Sequence, residues 1–134
     1  MTVKELVKNK NNVEIKSSIK CISSNGTLGY CGLDWGMNNS QERLFFYINT
    51  VGKIAIGKQE KHQKPFFLLN WASNFNLKNG DFNEIKIRVK NGETSFYINE
   101  SKIGSISFDF YGDDVGFSVC NSTIIADFLK IEKM

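Results

Sequence analysis

The side chains best equipped for chemistry in this chain are scattered carboxylates, one histidine, three cysteines and a run of aromatics with polar neighbours. Tyr111-Gly112-Asp113-Asp114 sets two carboxylates side by side. Paired aspartates can hold a metal ion for phosphoryl transfer, but that chemistry takes a third carboxylate from a neighbouring strand and a much longer chain. Between apolar segments the same four residues spell a polar turn. Retaining glycoside hydrolysis needs two carboxyl groups about 5–5.5 Å apart. No E-x-D-x-x-E run supplies them, and Glu84, Glu93 and Glu100 fall at turns or on solvent faces. His62 lies in a Gln-Glu-Lys-His-Gln-Lys loop, which reads as an exposed loop histidine and not as a general base. Cys21, Cys31 and Cys120 show neither a CxxC pair nor zinc spacing. They read as free buried thiols of a reducing compartment, a disulfide between two of them being the alternative.

A binding surface is better supported. If Leu44, Phe46 and Ile48 face a core, alternation puts Arg43, Phe45, Tyr47 and Asn49 on the opposite face of that strand. In the preceding strand Leu33 and Trp35 point inward, so Asp34 points out beside Arg43 and Tyr47. Lys53 flanks this group and Trp71 joins it from the next strand. Sugars favour such surfaces, because their C–H faces stack on rings while their hydroxyls pair with Asp, Asn and Arg. The competing reading is that Phe45 and Tyr47 cover the second side of a curved sheet, with Asp34 and Arg43 as an ion pair.

These residues need strands to position them, and the sequence is written in strands. Apolar and polar residues alternate over Val13 to Ile22, Leu28 to Trp35, Arg43 to Thr50 and Lys53 to Lys58, and Phe66 to Trp71 is a short apolar strand. The pattern resumes over Phe82 to Lys90, Thr94 to Asn99, Lys102 to Phe108, Val115 to Cys120 and Ile124 to Ile131. Asn25-Gly26 and Asn91-Gly92 are hairpin signals. Val13, Ile15, Ile19 and Cys21 share one face of the first strand, and Ile85, Ile87 and Val89 one face of the sixth. Met1 to Lys10 is a short polar segment that suits a helical turn or a frayed tail. Ser122 to Lys133 has some helical spacing, but its β-branched start and alternation suit a terminal strand. Many short strands with turns between them specify an all-β sandwich or barrel.

A length of 134 residues with 41% hydrophobic residues and 11 phenylalanines supports a folded core and excludes a disordered tail. The net charge of +3 comes from lysines scattered among apolar residues. That is a solvated face, and it argues against a nucleic-acid groove. No run reaches membrane-spanning length, and the N-terminus has no apolar signal-peptide core. The chain as written therefore reads as cytoplasmic, or as secreted if it is a fragment of an exported parent.

The order Gly32-Leu33-Asp34-Trp35-Gly36, then Arg43 to Lys58, Leu68 to Ala72, Asn83 to Gly104 and Asp113 to Val119 resembles the concanavalin A-like lectin/glucanase superfamily. Within it, the chain resembles the laminin-G-like and 3-keto-disaccharide hydrolase-like jelly rolls of bacterial multidomain proteins. The likeness runs from about residue 13 to 131. It implies an antiparallel jelly-roll β-sandwich over 13–134 behind a polar lead at 1–12. It also allows a calcium ion at Asp113 and Asp114; no other cofactor is expected. Two departures stand out. Asn99-Glu100 replaces the usual Asn-Gly turn, and one or two strands that normally precede Val13 are missing, which predicts an open sheet edge there. The resulting expectation is a non-catalytic module that binds carbohydrate or another small ligand on its concave face. Its site residues would be Asp34, Arg43, Phe45, Tyr47, Asn49 and Trp71. The alternative is a protein-interaction or oligomerisation module that uses the open edge.

Overall fold

The computed structural model describes residues 12–38, 41–107 and 110–134. The segment 1–11, including the possible helical turn, lies outside the described residues. Among the described residues there is no helix, and ten strands occupy the segments expected from sequence. They are β1 (Val13–Ser23), β2 (Tyr30–Asn38), β3 (Glu42–Asn49), β4 (Lys53–Gln59), β5 (Phe66–Ser73), β6 (Asn83–Lys90), β7 (Glu93–Ile98), β8 (Ser101–Ile106), β9 (Asp114–Cys120) and β10 (Ser122–Lys133). The C-terminal segment is a strand, as its alternation required.

The strands form two antiparallel sheets. Sheet A has the order β10-β1-β6-β7-β8 and sheet B the order β5-β4-β3-β2-β9. The inward residues expected from parity meet between them. Val13, Ile15, Ile19, Ile85, Ile87 and Val89 from sheet A pack against Leu33, Trp35, Leu44, Phe46 and Ile48 from sheet B. Phe96 of β7 anchors this layer, with its ring 5.7 Å from both Trp35 and Phe46 in edge-on contacts. Fully burying one such side chain is worth about 1.5–3 kcal/mol.

Two expectations are corrected by this architecture. The edge predicted at the Val13 strand is not open, because β1 lies between β6 and β10. The two strands β1 and β10 are of nearly equal length and pair from Val13↔Lys133 to Ser23↔Ser122 with one bulge at Ser18/Ile19. The chain's own C-terminus therefore satisfies the backbone groups that a missing N-terminal strand would have left bare. The turn at Asn99-Glu100 also keeps its tight form. Both residues have positive φ, 47° and 71°, as a two-residue hairpin turn demands. Glu100 bears a left-handed cost that glycine would avoid, and its carboxylate pairs with Lys86 Nζ at 3.0 Å. Asn91-Gly92 adopts the same positive-φ pair, 51° and 80°, between β6 and β7.

Candidate functional site

The outward face of sheet B carries the candidate site, and a buried carboxylate lies at its centre. Strand pairing explains how that carboxylate is held. Gly32 lies directly opposite Tyr47 on one side and Ser118 on the other. With no side chain at Gly32, the hydroxyls of both neighbours lean along the sheet to the next outward residue of β2, Asp34. Tyr47 Oη donates to Asp34 Oδ1, and Ser118 Oγ donates to Asp34 Oδ2. A Cβ at Gly32 would overlap the carbonyl oxygen of Phe46, so the gap is enforced by backbone proximity as well. Arg43 Nε stands 3.6 Å from Asp34 Oδ1, which realises the ion pair considered from sequence.

Asp34 is only 3% exposed. Burial pushes its carboxyl above the ordinary aspartate value, while Ser118, Tyr47 and Arg43 pull it back. The Tyr47 hydroxyl is also pushed up, by burial first and by the Asp34 charge second. Tyr47 therefore stays protonated and remains a donor. Both Asp34 oxygens are occupied within the protein, so this carboxylate acts as a hub that orients Tyr47 and Arg43.

Around the hub lies a layer of aromatic rings. Phe45 stacks on Tyr47 at 4.9 Å and 17°. Tyr30 lies 4.9 Å from Tyr47 and 5.6 Å from Trp71, and Phe67 meets Phe45 edge-on at 5.7 Å. Gly57 makes the last contact possible: it sits opposite Phe45 on one side and Phe67 on the other. A Cβ there would overlap the carbonyl oxygen of Phe66 and come within 2.9 Å of the Phe45 ring. Trp71 reaches the layer through an irregular strand. Ile54 pairs with Ala72 but Ile56 pairs with Leu69, so β5 carries an extra residue opposite Ala55. Such a bulge re-aims side chains. Trp71 sits in it with φ of 41°, a conformation that costs a bulky residue roughly 1–3 kcal/mol.

Tyr30 and Trp71 together wall two adjoining depressions. One, of 160 Å³, runs over Phe45, Tyr47 and Phe67 to Arg43, Gln59 and Pro65. The other, of 380 Å³, is lined by Gly29, Asn49, Val51, Lys53, Cys120 and Asn121. The loop bordering the first is fixed from across the sheet, where Tyr111 Oη donates to Glu60 Oε1 at 2.9 Å.

Of the residues expected from sequence, Asp34, Arg43, Phe45 and Tyr47 converge, and Trp71 joins them through Tyr30. Two features differ from expectation. Phe45 and Tyr47 are 4% and 5% exposed, covered by their neighbours. Asn49 is turned to structural use: its Oδ1 accepts from the backbone N–H of Val51 at 3.0 Å and of Lys53 at 2.8 Å. Tyr30, Phe67 and Ser118 were missed. Tyr30 shares the parity of Asp34 and was legible in principle; Ser118 depends on the β2–β9 pairing, for which a single sequence holds no signal. His62 is exposed in the β4–β5 loop. Asp113 and Asp114 sit at the entry to β9, after a turn in which Tyr111 N and Gly112 N both donate to Gly36 O at 3.0 Å. Among the described residues no three His, Cys, Asp or Glu side chains converge there as a metal site. Glu84 lies on β6 and Glu100 in the β7–β8 turn, where it pairs with Lys86, so both belong to sheet A and not to the aromatic layer.

No family model matches the chain, and no curated protein matches it in sequence. Solved structures do match in shape. The carbohydrate binding module CBM66 from Bacillus subtilis superposes with a TM-score of 0.76 at 11% identity, over 92% of this chain and 76% of the other. Sheep galectin-11 gives 0.66 at 13% identity, over 90% and 89% of the two chains. A glycoside hydrolase family 16 enzyme of Bacteroides ovatus gives 0.65 at 13% identity, over 91% and 70%. With two antiparallel sheets, this strand order and these neighbours, the chain has the concanavalin A-like jelly-roll fold that its ordered motifs implied.

Proposed function

We propose that this chain is a non-catalytic carbohydrate-binding module whose ligand lies along the outward face of sheet B. The observation that carries the reading is Trp71, held at strained backbone in a bulge that turns it to Tyr30 between the two depressions. Backbone strain of this kind clusters at ligand clamps. A sugar would stack on the Tyr30 and Trp71 rings, with Arg43 and Gln59 at one end and Lys53 and Asn121 at the other supplying hydrogen bonds. Asp34 is a positioning residue: it holds the Arg43 guanidinium and the Tyr47 hydroxyl without facing solvent. The similarity in fold to a carbohydrate binding module and to galectins supports this reading. The similarity to a glycoside hydrolase is weighed down by chemistry, because both oxygens of Asp34 are spent on hydroxyl donors and leave it unsuited to attack or protonate a glycosidic bond.

A glycan array with the wild-type chain and Trp71→Ala tests it. Binding of a defined set of glycans by the wild type, lost in the variant, is the expected result. An array with no signal for the folded wild type would overturn the proposal, and release of reducing sugar from a bound glycan would overturn its non-catalytic part.

A further inference from the structure

The excess positive charge of the chain sits on the strands that carry the aromatic layer. Residues 42–73 span β3, β4, β5 and their two links. They hold five Lys and Arg against two Glu, while the rest of the chain holds twelve basic residues against twelve acidic ones. The net charge of +3 is therefore that of this one segment. Two of its five cations are answered within the fold. Arg43 Nε faces the buried Asp34 at 3.6 Å, and Lys58 Nζ lies 3.2 Å from Glu60 Oε1. Glu60 also accepts from the Tyr111 hydroxyl. Glu42 accepts from Asn38 Nδ2 at 3.3 Å. Lys53, Lys61 and Lys64 are exposed, and among the described residues no carboxylate forms an ion pair with them.

The positions of these lysines match the groove. Lys53 lines the larger depression beside the apolar walls of Leu28, Val51 and Trp71. Its backbone N–H is fixed on Asn49 Oδ1 at 2.8 Å. Lys61 and Lys64 stand on the β4–β5 loop, which borders the smaller depression through Pro65. No Asp or Glu lines either depression; Asp34 lies beneath the ring layer, and Asp113 and Asp114 belong to the β9 end of the sheet. A cation against apolar walls attracts an anion more strongly than one in open water, because less water screens the pair. A neutral sugar would leave this positive potential unanswered.

We propose that the sugar bound on sheet B is acidic: a uronic acid chain whose rings stack on Tyr30 and Trp71 while its carboxylates meet Lys53 at one end and Lys64 at the other. The inference rests on the carbohydrate reading above and adds the charge of the ligand. Single-stranded nucleic acid also offers rings and anions, but it is held by a run of cations along its backbone. Here the cations that line the two depressions are Arg43 and Lys53.

The experiment titrates the folded chain with polygalacturonate, its methyl ester, dextran sulfate and a single-stranded DNA oligonucleotide in a calorimeter, at low and at high salt. The ester keeps the rings and most of the hydroxyl pattern but removes the charge. Polygalacturonate should bind at least about tenfold more tightly than the ester, the size of one charge-assisted hydrogen bond, and salt should narrow the gap. Lys53→Gln, at an exposed position, should reduce that preference, and Trp71→Ala should abolish binding of both polymers. Equal affinity for acid and ester, both lost in Trp71→Ala, would overturn the acidic class and leave the carbohydrate reading standing. So would a neutral glycan that binds more tightly than polygalacturonate. Binding of no glycan at all would overturn both. Tighter binding of dextran sulfate or of the oligonucleotide would overturn the carboxylate, and a preference untouched by Lys53→Gln would overturn its placement.

Discussion

On β3, Leu44, Phe46 and Ile48 press into the space between the sheets, while Phe45 and Tyr47 lie on the other side, and both sets are almost wholly removed from solvent. The means differ. The inward set is closed by sheet A, so each side chain meets apolar atoms from an independent layer. The outward set is closed by rings from its own sheet, Tyr30, Phe67 and Trp71, and encloses a charged hub instead of more hydrocarbon. The inward face is the interior of a folded protein, close-packed and indifferent to ligands. The outward face is a layer one ring deep, whose upper surface is open at two depressions. Equal burial on one strand thus conceals two kinds of construction, one for stability and one that presents aromatic and polar groups.

Substitutions that strike one face and spare the other break this comparison. Phe46→Ala should lose about 3–5 kcal/mol in denaturant unfolding, by lost transfer and a cavity beside Trp35 and Phe96; a loss near that of an outward substitution would mean the faces are alike. Gly57→Ala should cost about 1–3 kcal/mol, because the new methyl group drives the β5 backbone and the Phe45 ring away from β4. Unchanged stability, with unchanged near-ultraviolet circular dichroism, would show that the close approach of β4 and β5 at this point is not needed. Tyr47→Phe keeps the ring but removes a donor from a buried carboxylate. The expected loss is about 1–3 kcal/mol, and a neutral result would detach Tyr47 from the hub.

Acidity sharpens the same contrast. Burial leaves the folded-state value of Asp34 above the ordinary 3.8. The folded state therefore holds this proton more tightly than the unfolded chain does. The linked stability is fully present below that ordinary value and is lost as pH rises through the folded one. Stability measured against pH for wild type and Asp34→Asn should show the wild type losing ground to the variant as pH climbs through that window, and parallel curves would contradict the assigned environment. The smallest stability effect is expected at Trp71. Replacing it with glycine removes a half-buried ring but also relieves the left-handed strain, so the net change should stay below about 1 kcal/mol. Glycan binding should nevertheless disappear. A large loss of stability here would make Trp71 part of the fold's support and not part of a ligand surface.

Much of this was legible in the chain. Period-two alternation located the strands other than β5, which showed as a short apolar run, and it included β10; parity separated Leu33 and Trp35 from Asp34, and Phe46 from Phe45 and Tyr47. Alternation works here because a strand's side chains must point to opposite faces whatever its neighbours are. Parity failed on β5, where Leu68 and Leu69 both pack inward, because bulges depend on the partner strand. The expected open edge at Val13 failed for a similar reason: alternation does not say which strand lies beside which, and β10 closes the gap from more than a hundred residues away.

The sequence by itself therefore determined the strands, their inward faces and the turns, all of which follow from local backbone geometry and the spacing of apolar residues. The tertiary structure alone decided that Ser118 and Tyr47 would meet on Asp34 across the gap at Gly32, and that a bulge would turn Trp71 to Tyr30. Those contacts join strands by pairing and layering, and the free energy that selects one pairing over another comes from the whole core, not from the residues that meet.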